Sequence, residues 1–514
     1  MSPFLKLPGI MGQSYEAIGY RALVDRYNLS VMQHFRWSYL IDKGSRRALT
    51  DRFPAIYLYG QSYACDDPQD PLQQLAFALK HEGLNLEIIT ALFGHLSAAS
   101  VQAYVEQQSS GKYQRIVWYL YEQLTGCTLA LPDLKQGSYI DVLDASLYYT
   151  CQPNPQPRYR LNDNLLGELT SFCPFVRRTS LLSTIADEHL DRVARGMADA
   201  YGQSVLERAS TFLYTQETLS SYQIEREKPD KRRLISFIHL VKKVENIKTL
   251  DEELLTALQN SIVEERFADT GYRTIQNYIG QKRDLDYEII HYISPKPEDV
   301  VPLMQGLLAS LQRMIASNVD PMVIAAAIAF GFVYIHPFDD GNGRLHRFLI
   351  HYILRQTNFA PQGVMFPISA VILSDMRRYN DVLEQVSNPL MALVTDYTLN
   401  EAGQLTVHQA TKTLYQYIDY TVYAEYLAAC IKKTIYTDFK KELEYLTCYD
   451  QAKQELQEIV AMPDRLIDLF IRVTVPHQGV LSENKRTSYF SMLTPEEVIR
   501  MEEVVRRVFA DAFC

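Results

Sequence analysis

The feature that most constrains the fold of this chain is a run of apolar residues that ends at a short polar turn. Asp320 and Pro321 form a typical helix start, since aspartate caps the first backbone N–H groups and proline suits the first helical position. The run that follows, residues 322–335, is apolar around the whole helix, which predicts a helix buried in the core. It is shorter than the roughly 18 residues that a membrane span needs. His336 and Pro337 are predicted to end this helix.

A second helix is predicted to begin near Arg344, because apolar residues recur at helical spacing over residues 345–353. The turn before it, Gly341-Asn342-Gly343, would then lie at a helix N-terminus, where unpaired backbone N–H groups and the helix dipole attract an anion. Arg344 and Arg347 are three residues apart and so share one side of the first turn. Two arginines are costly at a helix N-terminus unless an anion offsets their charge.

The same turn carries groups suited to phosphate chemistry. Asp340 is a hard oxygen ligand of the kind that Mg²⁺ uses when it bridges phosphates, and His336 is a candidate proton acceptor. A lone histidine or a lone Gly-x-Gly is usually structural, and neither would predict a site by itself. Nothing structural requires all of these groups in one turn, so their combination predicts a di- or triphosphate site with a base beside it.

The run from His336 to Arg347 resembles the signature of the Fic family, HPFx(D/E)GNGRxxR, and fits it at every position. On this motif the chain is identified as a member of that family. The resemblance extends over about residues 210–390. Residues 271–280 resemble the flap hairpin that holds a target peptide over the site, and Tyr379 and Asn380 stand where relatives contact the adenine.

This resemblance implies an enzyme that transfers AMP from ATP to a hydroxyl group of a protein. His336 would deprotonate the hydroxyl, and Asp340 would hold Mg²⁺ on the α- and β-phosphates. Phe338 would anchor the loop in the core. The other motif residues would contact the phosphates: Asn342 with the backbone of Gly341 and Gly343 at the α-phosphate, Arg344 at the β-phosphate and Arg347 at the γ-phosphate.

An upstream stretch, residues 219–226, resembles the inhibitory helix of the family, (S/T)xxxE(G/N). Ser221 and Glu225 fit this motif, whereas Arg226 stands in place of the usual glycine or asparagine. The alternative is an ordinary helix end with a surface glutamate, since a motif this short also occurs by chance. The resemblance implies that Glu225 pairs with Arg347, occupies the space of the γ-phosphate and keeps the enzyme inhibited.

The fold class that the sequence predicts is mostly α: a Fic-type helical bundle with a β-hairpin flap, flanked by helical regions at both ends. Helical spacing is clear in several segments, and strand-like alternation is sparse. The segments with helical spacing are 72–82, 206–219, 300–317 and 393–399, and the best strand patterns are 274–279 and 287–293, separated by a polar loop at 280–286.

The punctuation of the chain predicts three consecutive domains. Three prolines within residues 152–158 indicate a linker. The predicted domains are an N-terminal helical region (1–151), a Fic domain (159–399) with the inhibitory helix near 206–226, and a C-terminal helical region (400–514). Near the end of the last region, Thr494 begins a predicted capping box.

Composition and charge indicate a soluble cytoplasmic protein with no membrane partner. The formal net charge of −10 argues against a protein that coats nucleic acid non-specifically, and we interpret the basic run 228–233 as a solvated face. The 7 cysteines lie scattered without a CxxC pair, which suits reduced thiols better than a disulfide framework or a zinc site. The first residues lack the pattern of a signal peptide.

Several functional alternatives stay open at this point. The same site could remove AMP from a modified protein, with Glu225 positioning a water molecule. Transfer of UMP or phosphocholine is compatible with the motif, because the base pocket lies outside it. A different class is a regulator or adaptor with a vestigial Fic site, and the intact run from His336 to Arg347 argues against it. The target protein, for which the chain itself is one candidate, and a homo-oligomeric state are also open.

Overall fold

The structure of the chain is a computed structural model that describes residues 15–42, 44, 46–50, 53–243, 247–284 and 287–510. The fold is mostly α-helical, as the sequence predicts. In chain order the helices are α1 Tyr20–Tyr27, α2 Pro71–His81, α3 Leu86–Phe93, α4 Ala98–Gln107, α5 Lys112–Thr125, α6 Ser180–Asp187, α7 Leu190–Asp199, α8 Gln203–Ile224, α9 Lys231–Lys243, α10 Glu252–Ile262, α11 Pro297–Ala316, α12 Pro321–Ile335, α13 Asn342–Gln356, α14 Ile368–Ser374, α15 Met376–Met391, α16 Lys412–Gln416, α17 Thr421–Thr434, α18 Lys440–Ile459, α19 Asp464–Thr474, α20 Glu483–Tyr489 and α21 Pro495–Val508.

The strands are short and form four small sheets. They are β1 Glu16–Ile18, β2 Arg36–Ile41, β3 Arg47–Thr50, β4 Ala55–Gly60, β5 Ile140–Asp141, β6 Asn154–Gln156, β7 Leu161–Asp163, β8 Tyr278–Asp284, β9 Tyr287–Ile293, β10 Tyr397–Leu399 and β11 Leu405–Val407. The largest sheet has the order β1-β2-β4-β3, with β2 and β4 parallel, and a three-stranded sheet has the order β5-β7-β6. The pairs β8-β9 and β10-β11 are antiparallel hairpins.

The N-terminal region contains this four-stranded sheet as well as helices, which the prediction of a helical region over 1–151 omitted. The reason lies in burial. Strands β2 and β4 are buried on parts of both faces, so their sequences show no clean alternation of apolar and polar residues.

The proline-rich segment 152–158 lies on the surface of the first unit, where it is held by strand pairing and ion pairs, and it is not a linker. Strand β6 lies within it and pairs with β7. Arg158 forms ion pairs with Glu122 at 2.9 Å and with Asp133 at 2.7 Å, and its guanidinium lies 4.9 Å from the ring centroid of Trp118. Prolines are compatible with an edge strand of this kind, which explains why the composition misled the prediction.

Two predictions at the borders of secondary structure are wrong. The first strand of the flap hairpin runs from Tyr278 to Asp284, so residues 280–284, which the sequence predicted as a loop, belong to a strand. The last two residues of that predicted loop, 285 and 286, lie outside the described chain. Residues 393–399 do not form a helix, because Tyr397–Leu399 is strand β10. Both segments pair with a neighbouring strand, and such pairing overrides weak local preferences.

Contacts divide the chain into two compact units, each assembled from three stretches. The first contains the residues up to Thr179, Thr249–Ile350 and Arg377–Ala424, and the second contains Ser180–Lys248, His351–Met376 and the residues from Glu425 onward. These units do not follow the three consecutive domains 1–151, 159–399 and 400–514.

In the first unit, α12 is a central core helix. Nearly all of its residues are buried, and α11 packs along it. The prediction that this apolar run forms a core helix is confirmed. Among the described residues, no single helix is both long and apolar enough to cross a bilayer; α3 and α4 reach that level only as a pair, with a bend of 116° between them.

The second unit has its own apolar core, built in part from α18, α19 and α21. Helix α21 begins with the predicted capping box: the Thr494 hydroxyl accepts a hydrogen bond from the Glu497 N–H at 3.2 Å, and the Glu497 carboxylate accepts one from the Thr494 N–H at 2.7 Å. That local prediction is confirmed. The six described cysteines of the two units are free thiols.

Helix α8, also in the second unit, ends in a Schellman motif. The Glu227 N–H donates to the Tyr222 carbonyl at 3.0 Å, and the Arg226 N–H donates to the Gln223 carbonyl at 2.9 Å. Arg226 therefore adopts the left-handed conformation, with φ of 57°. Glycine and asparagine adopt this conformation most readily, which gives a physical reason for their presence at the corresponding position of the inhibitory motif.

We expect Arg226→Gly to stabilise the chain by about 1 kcal/mol, because a left-handed residue with a Cβ costs about 1–2 kcal/mol and glycine offsets part of this gain through its entropy when unfolded. Urea unfolding followed by circular dichroism would measure the change. Gln223→Gly, three residues earlier and inside the helix, is the matched control and should destabilise by up to about 1 kcal/mol. A lower unfolding midpoint for Arg226→Gly would contradict the strain at this position.

Candidate active site

The candidate site lies in the first unit and starts at the end of α12. Asp320 caps this helix, and its side chain accepts hydrogen bonds from the N–H groups of Met322 at 2.8 Å and Val323 at 3.4 Å. The helix ends at His336, which has the left-handed conformation with φ of 53°. Both ends of the helix agree with the sequence prediction.

The imidazole of His336 is oriented by the helix that it terminates. Its Nδ1 lies 3.1 Å from the carbonyl oxygen of Val333. A carbonyl oxygen can only accept a hydrogen bond, so we assign the proton to Nδ1 and the lone pair of the neutral ring to Nε2. A general base needs this tautomer, because the second nitrogen must be able to accept a proton.

The loop after His336 is closed by the side chain of Asn342. Its Nδ2 donates to the Phe338 carbonyl at 2.7 Å, and its Oδ1 accepts from the Phe338 N–H at 3.1 Å. The Phe338 ring is fully buried and packs against Tyr272, with ring centroids 5.5 Å apart. Asn342 thus holds the shape of the loop, which the sequence did not indicate, and its predicted contact with an α-phosphate stays a prediction.

Gly341 lies at the tightest point of the loop. Its φ is +85°, and an added Cβ would lie 3.0 Å from the Val263 side chain. The Gly341 N–H donates to the Asp340 carboxylate at 2.6 Å. Helix α13 begins one residue later, at Asn342, so the predicted helix N-terminus is present two residues earlier than Arg344.

Arg344 and Arg347 are both only 1% exposed, and their burial makes them the most unusual charges of the site. Arg344 donates to the Ile262 carbonyl at 2.9 Å and forms an ion pair with Asp340 at 2.9 Å. The neighbouring His346 is also buried, and burial lowers its pKa to about 3, so it contributes no positive charge at neutral pH. Guanidinium groups and helix N-termini both attract anions in proteins, and the predicted binding of phosphates by Arg344 and Arg347 stays a prediction.

The residues present fit a metal ion that arrives with its substrate. The described part of the chain contains no group of three His, Cys, Asp or Glu side chains that could hold a metal. Asp340 offers one carboxylate, whose side chain is 41% exposed although it pairs with Arg344. Mg²⁺ usually takes one or two carboxylates and completes its shell with water and substrate phosphates. Asp340 suits that mode of binding.

Two side chains that the sequence analysis did not single out, Gln259 on α10 and Asp269 in the segment after α10, form hydrogen bonds to the loop. Gln259 is fully buried, and its Nε2 donates to the Asp340 carbonyl at 3.2 Å and to the Asp269 carboxylate at 3.1 Å. Asp269 also accepts from the Asp339 N–H at 3.2 Å, and burial raises the pKa of Asp269. No local sequence pattern marks these residues, because their partners are distant in sequence.

Arg273 is a positioning residue for the histidine. Its Nε donates to the His336 carbonyl at 2.8 Å, and its backbone N–H donates to the Pro337 carbonyl at 2.8 Å. Its Nη2 reaches the Pro295 carbonyl at 2.7 Å. Burial lowers the pKa of Arg273 to about 10, and the group stays charged at neutral pH. Arg273 therefore donates hydrogen bonds to carbonyl groups at the C-terminal end of α12, which have no hydrogen-bond donors within the helix.

The predicted adenine-contacting residues lie on α15. Tyr379 is buried, and Asn380 is exposed. The same helix is tied to the last turn of α12, because the Tyr334 hydroxyl donates to the Leu383 carbonyl at 2.8 Å. Contact of Tyr379 and Asn380 with a base stays a prediction.

The predicted inhibitory residues lie in the second unit. Ser221 is buried in the last turns of α8, and Glu225 is exposed at its C-terminal cap. One turn before Ser221, the buried Glu217 accepts a hydrogen bond from the Ser369 N–H at 2.7 Å and lies 2.8 Å from Nε2 of His351. The pairing of Glu225 with Arg347 stays a prediction.

Taken together, the described residues form a mostly helical protein in which a histidine ends a core helix and two buried arginines lie in the first turns of the next helix. Residues 249–354 match the family model described as the Fic/DOC family. The chain therefore contains a domain of the Fic/DOC family, and this domain includes the whole run from His336 to Arg347.

The similarity to known relatives covers only a part of each relative's sequence. The chain is 30% identical over 109 residues to "Protein adenylyltransferase Fic" of Nematostella vectensis, which is 21% of this chain and 24% of that protein. It is 37% identical over 70 residues to the protein of the same name from Drosophila melanogaster, which is 14% of each. The chain thus spans about a quarter or less of the curated relatives.

Solved structures of similar proteins include a Fic family protein from Desulfovibrio desulfuricans G20, with 15% identity and a TM-score of 0.36 over 65% of this chain and 88% of that one. A Fic domain-containing signaling protein from Bacteroides thetaiotaomicron VPI-5482 has 14% identity and a TM-score of 0.36 over 52% of this chain and 97% of that one.

Proposed function

We propose that this protein transfers AMP from ATP to a Ser, Thr or Tyr hydroxyl of a protein. One observation carries the proposal: the contact of His336 Nδ1 with the Val333 carbonyl presents the imidazole as a base, beside a helix N-terminus that holds two buried arginines. A base and an anion site in one loop suit attack of a hydroxyl on a phosphate.

The proposed step is a nucleophilic substitution at the α-phosphorus of ATP. The hydroxyl oxygen of the target forms a bond to the α-phosphorus of ATP, and the bond from that phosphorus to the oxygen bridging the β-phosphate breaks. Pyrophosphate leaves, and the hydroxyl proton passes to Nε2 of His336. Catalysis then rests on positioning of the α-phosphate and on stabilisation of charge that develops on its oxygens.

The residues around the loop have distinct proposed tasks. Gly341 and Gly343 leave the backbone N–H groups of the loop open to the α-phosphate, while Arg344 and Arg347 bind the β- and γ-phosphates. Mg²⁺ would be held by Asp340 together with phosphates, and when bound it would neutralise phosphate charge. Because Asp340 also pairs with Arg344, the cation and the arginine would share one acidic group.

We further propose that Glu225 inhibits this activity. Its carboxylate would compete with the γ-phosphate for Arg347, so that ATP binds with the α-phosphate out of line. An error of about 1 Å in position can cost on the order of 10²-fold in rate. The Schellman motif at Arg226 supports the idea, since it gives this helix end the backbone conformation that the glycine or asparagine of the family motif would adopt.

Incubation with α-labelled ATP and Mg²⁺, alone and with cell lysate, tests both proposals. We expect Glu225→Gly to raise transfer of label to protein at least about tenfold. Without the carboxylate, the γ-phosphate can bind Arg347, and the α-phosphate can then lie in line with the attacking hydroxyl. Gln223→Gly is the matched control, because it also places a glycine at this helix end but keeps the carboxylate.

Two outcomes would contradict these proposals. Absence of label transfer in every variant, with ATP bound, would reject AMP transfer. An equal rate in Glu225→Gly and the wild type would reject inhibition by this residue. A further test uses a target protein that already carries labelled AMP. If this target loses its label only when the enzyme contains Glu225, the result would favour AMP removal as the function.

A further inference from the structure

A cavity of about 640 Å³ lies in the first unit. Its walls combine residues that precede and begin β2 with Tyr57 and Phe175, and with Val386 and Pro389 from α15. No residue from 336 to 347 lines it. Cavities that bind small molecules typically measure roughly 300–1,000 Å³ and are mostly apolar with a few polar groups, and this one fits that description.

The charged groups on its walls do not balance. Arg177 pairs with Asp419 at 2.8 Å, so that cation has its counter-charge. Arg36 donates to the His81 carbonyl at 2.9 Å and lies 4.5 Å from the ring centroid of Tyr57, and within the described chain it forms no ion pair with a carboxylate. The cavity therefore carries one guanidinium that forms no ion pair with any acidic side chain in the described part of the chain.

The other titratable groups of the cavity do not supply that counter-charge. Burial raises the pKa of Glu87 to about 8, so its carboxyl is mostly protonated at neutral pH. Burial lowers the pKa of His34 to about 3, and this ring is neutral. Two arginines thus share the cavity with the Asp419 carboxylate, and the protonated Glu87 can donate a hydrogen bond.

We propose that this cavity is a binding site for a small organic anion with an aromatic body. The acidic group of the ligand would pair with Arg36, and its flat body would lie between the aromatic side chains. A cationic ligand would be repelled by the excess positive charge, and a neutral one would leave Arg36 without a counter-charge. The site is independent of the proposed AMP transfer, because it shares no residue with the loop.

A matched pair of fluorescent probes tests this proposal on the full chain. Anilinonaphthalene sulfonate has an aromatic body and an anionic group, and N-phenylnaphthylamine has the same body without the charge. We expect saturable binding of the sulfonate, with Arg36→Met raising its Kd about tenfold or more and leaving the Kd of the neutral probe within about twofold. Arg47→Met, an exposed arginine of β3 that does not line the cavity, is the control and should change neither value.

Filling the cavity separates this site from other apolar surfaces. Val386→Trp should weaken both probes about tenfold or more, and Ala55→Leu, at another lining residue, repeats the test if the first variant does not fold. Thermal unfolding would show which variants fold. The proposal is overturned if the sulfonate does not bind saturably, if Arg36→Met behaves like Arg47→Met, or if a folded cavity-filling variant binds both probes as the wild type does.

Discussion

Replacement of His336 by asparagine is expected to lower AMP transfer by about 10²–10⁴-fold while ATP still binds, because a general base acts on the acceptor hydroxyl and not on the phosphates. Asparagine is the better substitute than alanine. His336 ends α12 with φ of 53°, and asparagine tolerates this left-handed conformation well. Transfer rates with labelled ATP and calorimetric titration of ATP would measure the two effects separately.

The control for this experiment is His477→Ala, which removes an exposed histidine of the second unit and should leave the transfer rate unchanged. A rate in His336→Asn within a few-fold of the wild type would reject His336 as the base. If the variant loses both ATP binding and AMP transfer, the substitution has disturbed the loop. Thermal unfolding would detect such a change.

Arg347→Ala is expected to weaken ATP binding by about 2 kcal/mol or more, roughly 30-fold, and to leave AMP binding nearly unchanged. Only a triphosphate would reach this guanidinium, and a charge-assisted hydrogen bond contributes about 1.5–3 kcal/mol. The burial of Arg347, at 1% exposure, favours the upper part of that range because water screens the contact little. Calorimetric titration with ATP, ADP and AMP gives the three affinities.

The comparison of nucleotides serves as the internal control, since a general disturbance of the loop would weaken all three alike. Arg344→Ala offers a second comparison, and it should weaken ATP and ADP by similar factors because both carry a β-phosphate. Its loss also frees Asp340 from the ion pair, so Mg²⁺, which would bind the same carboxylate, is expected to reduce the effect. An equal loss of ATP and AMP in Arg347→Ala would place this side chain away from the γ-phosphate.

The local parts of the site could be predicted because short-range chemistry decides them. Asp320 caps the helix that follows it, and Thr494 forms a capping box with a residue three positions later. The apolar run of α12 is buried nearly throughout, as its composition predicts. Each of these features depends on neighbours within one or two helical turns, so the sequence contains the whole cause.

The supports of the loop could not be predicted because their partners lie far away in the chain. Gln259 bonds to a carbonyl 81 residues later, and Arg273 bonds to the carbonyl of His336, 63 residues later. The same reason explains the failure at 152–158, where the ion pair of Arg158 with Glu122, 36 residues earlier, ties an apparent linker to the folded unit. Long-range pairs of this kind leave no periodic pattern in a sequence.

The sequence by itself determined that this chain has a Fic-type loop between two helices, with His336, Asp340 and two arginines in one turn, because the spacing of those residues along a helix start fixes their common location. Only the tertiary structure decided which of them are buried, which tautomer His336 adopts and which distant side chains hold the loop. It also decided that Arg36 lines a cavity and forms no ion pair with a described carboxylate, since burial and charge balance depend on contacts between segments that are remote in sequence.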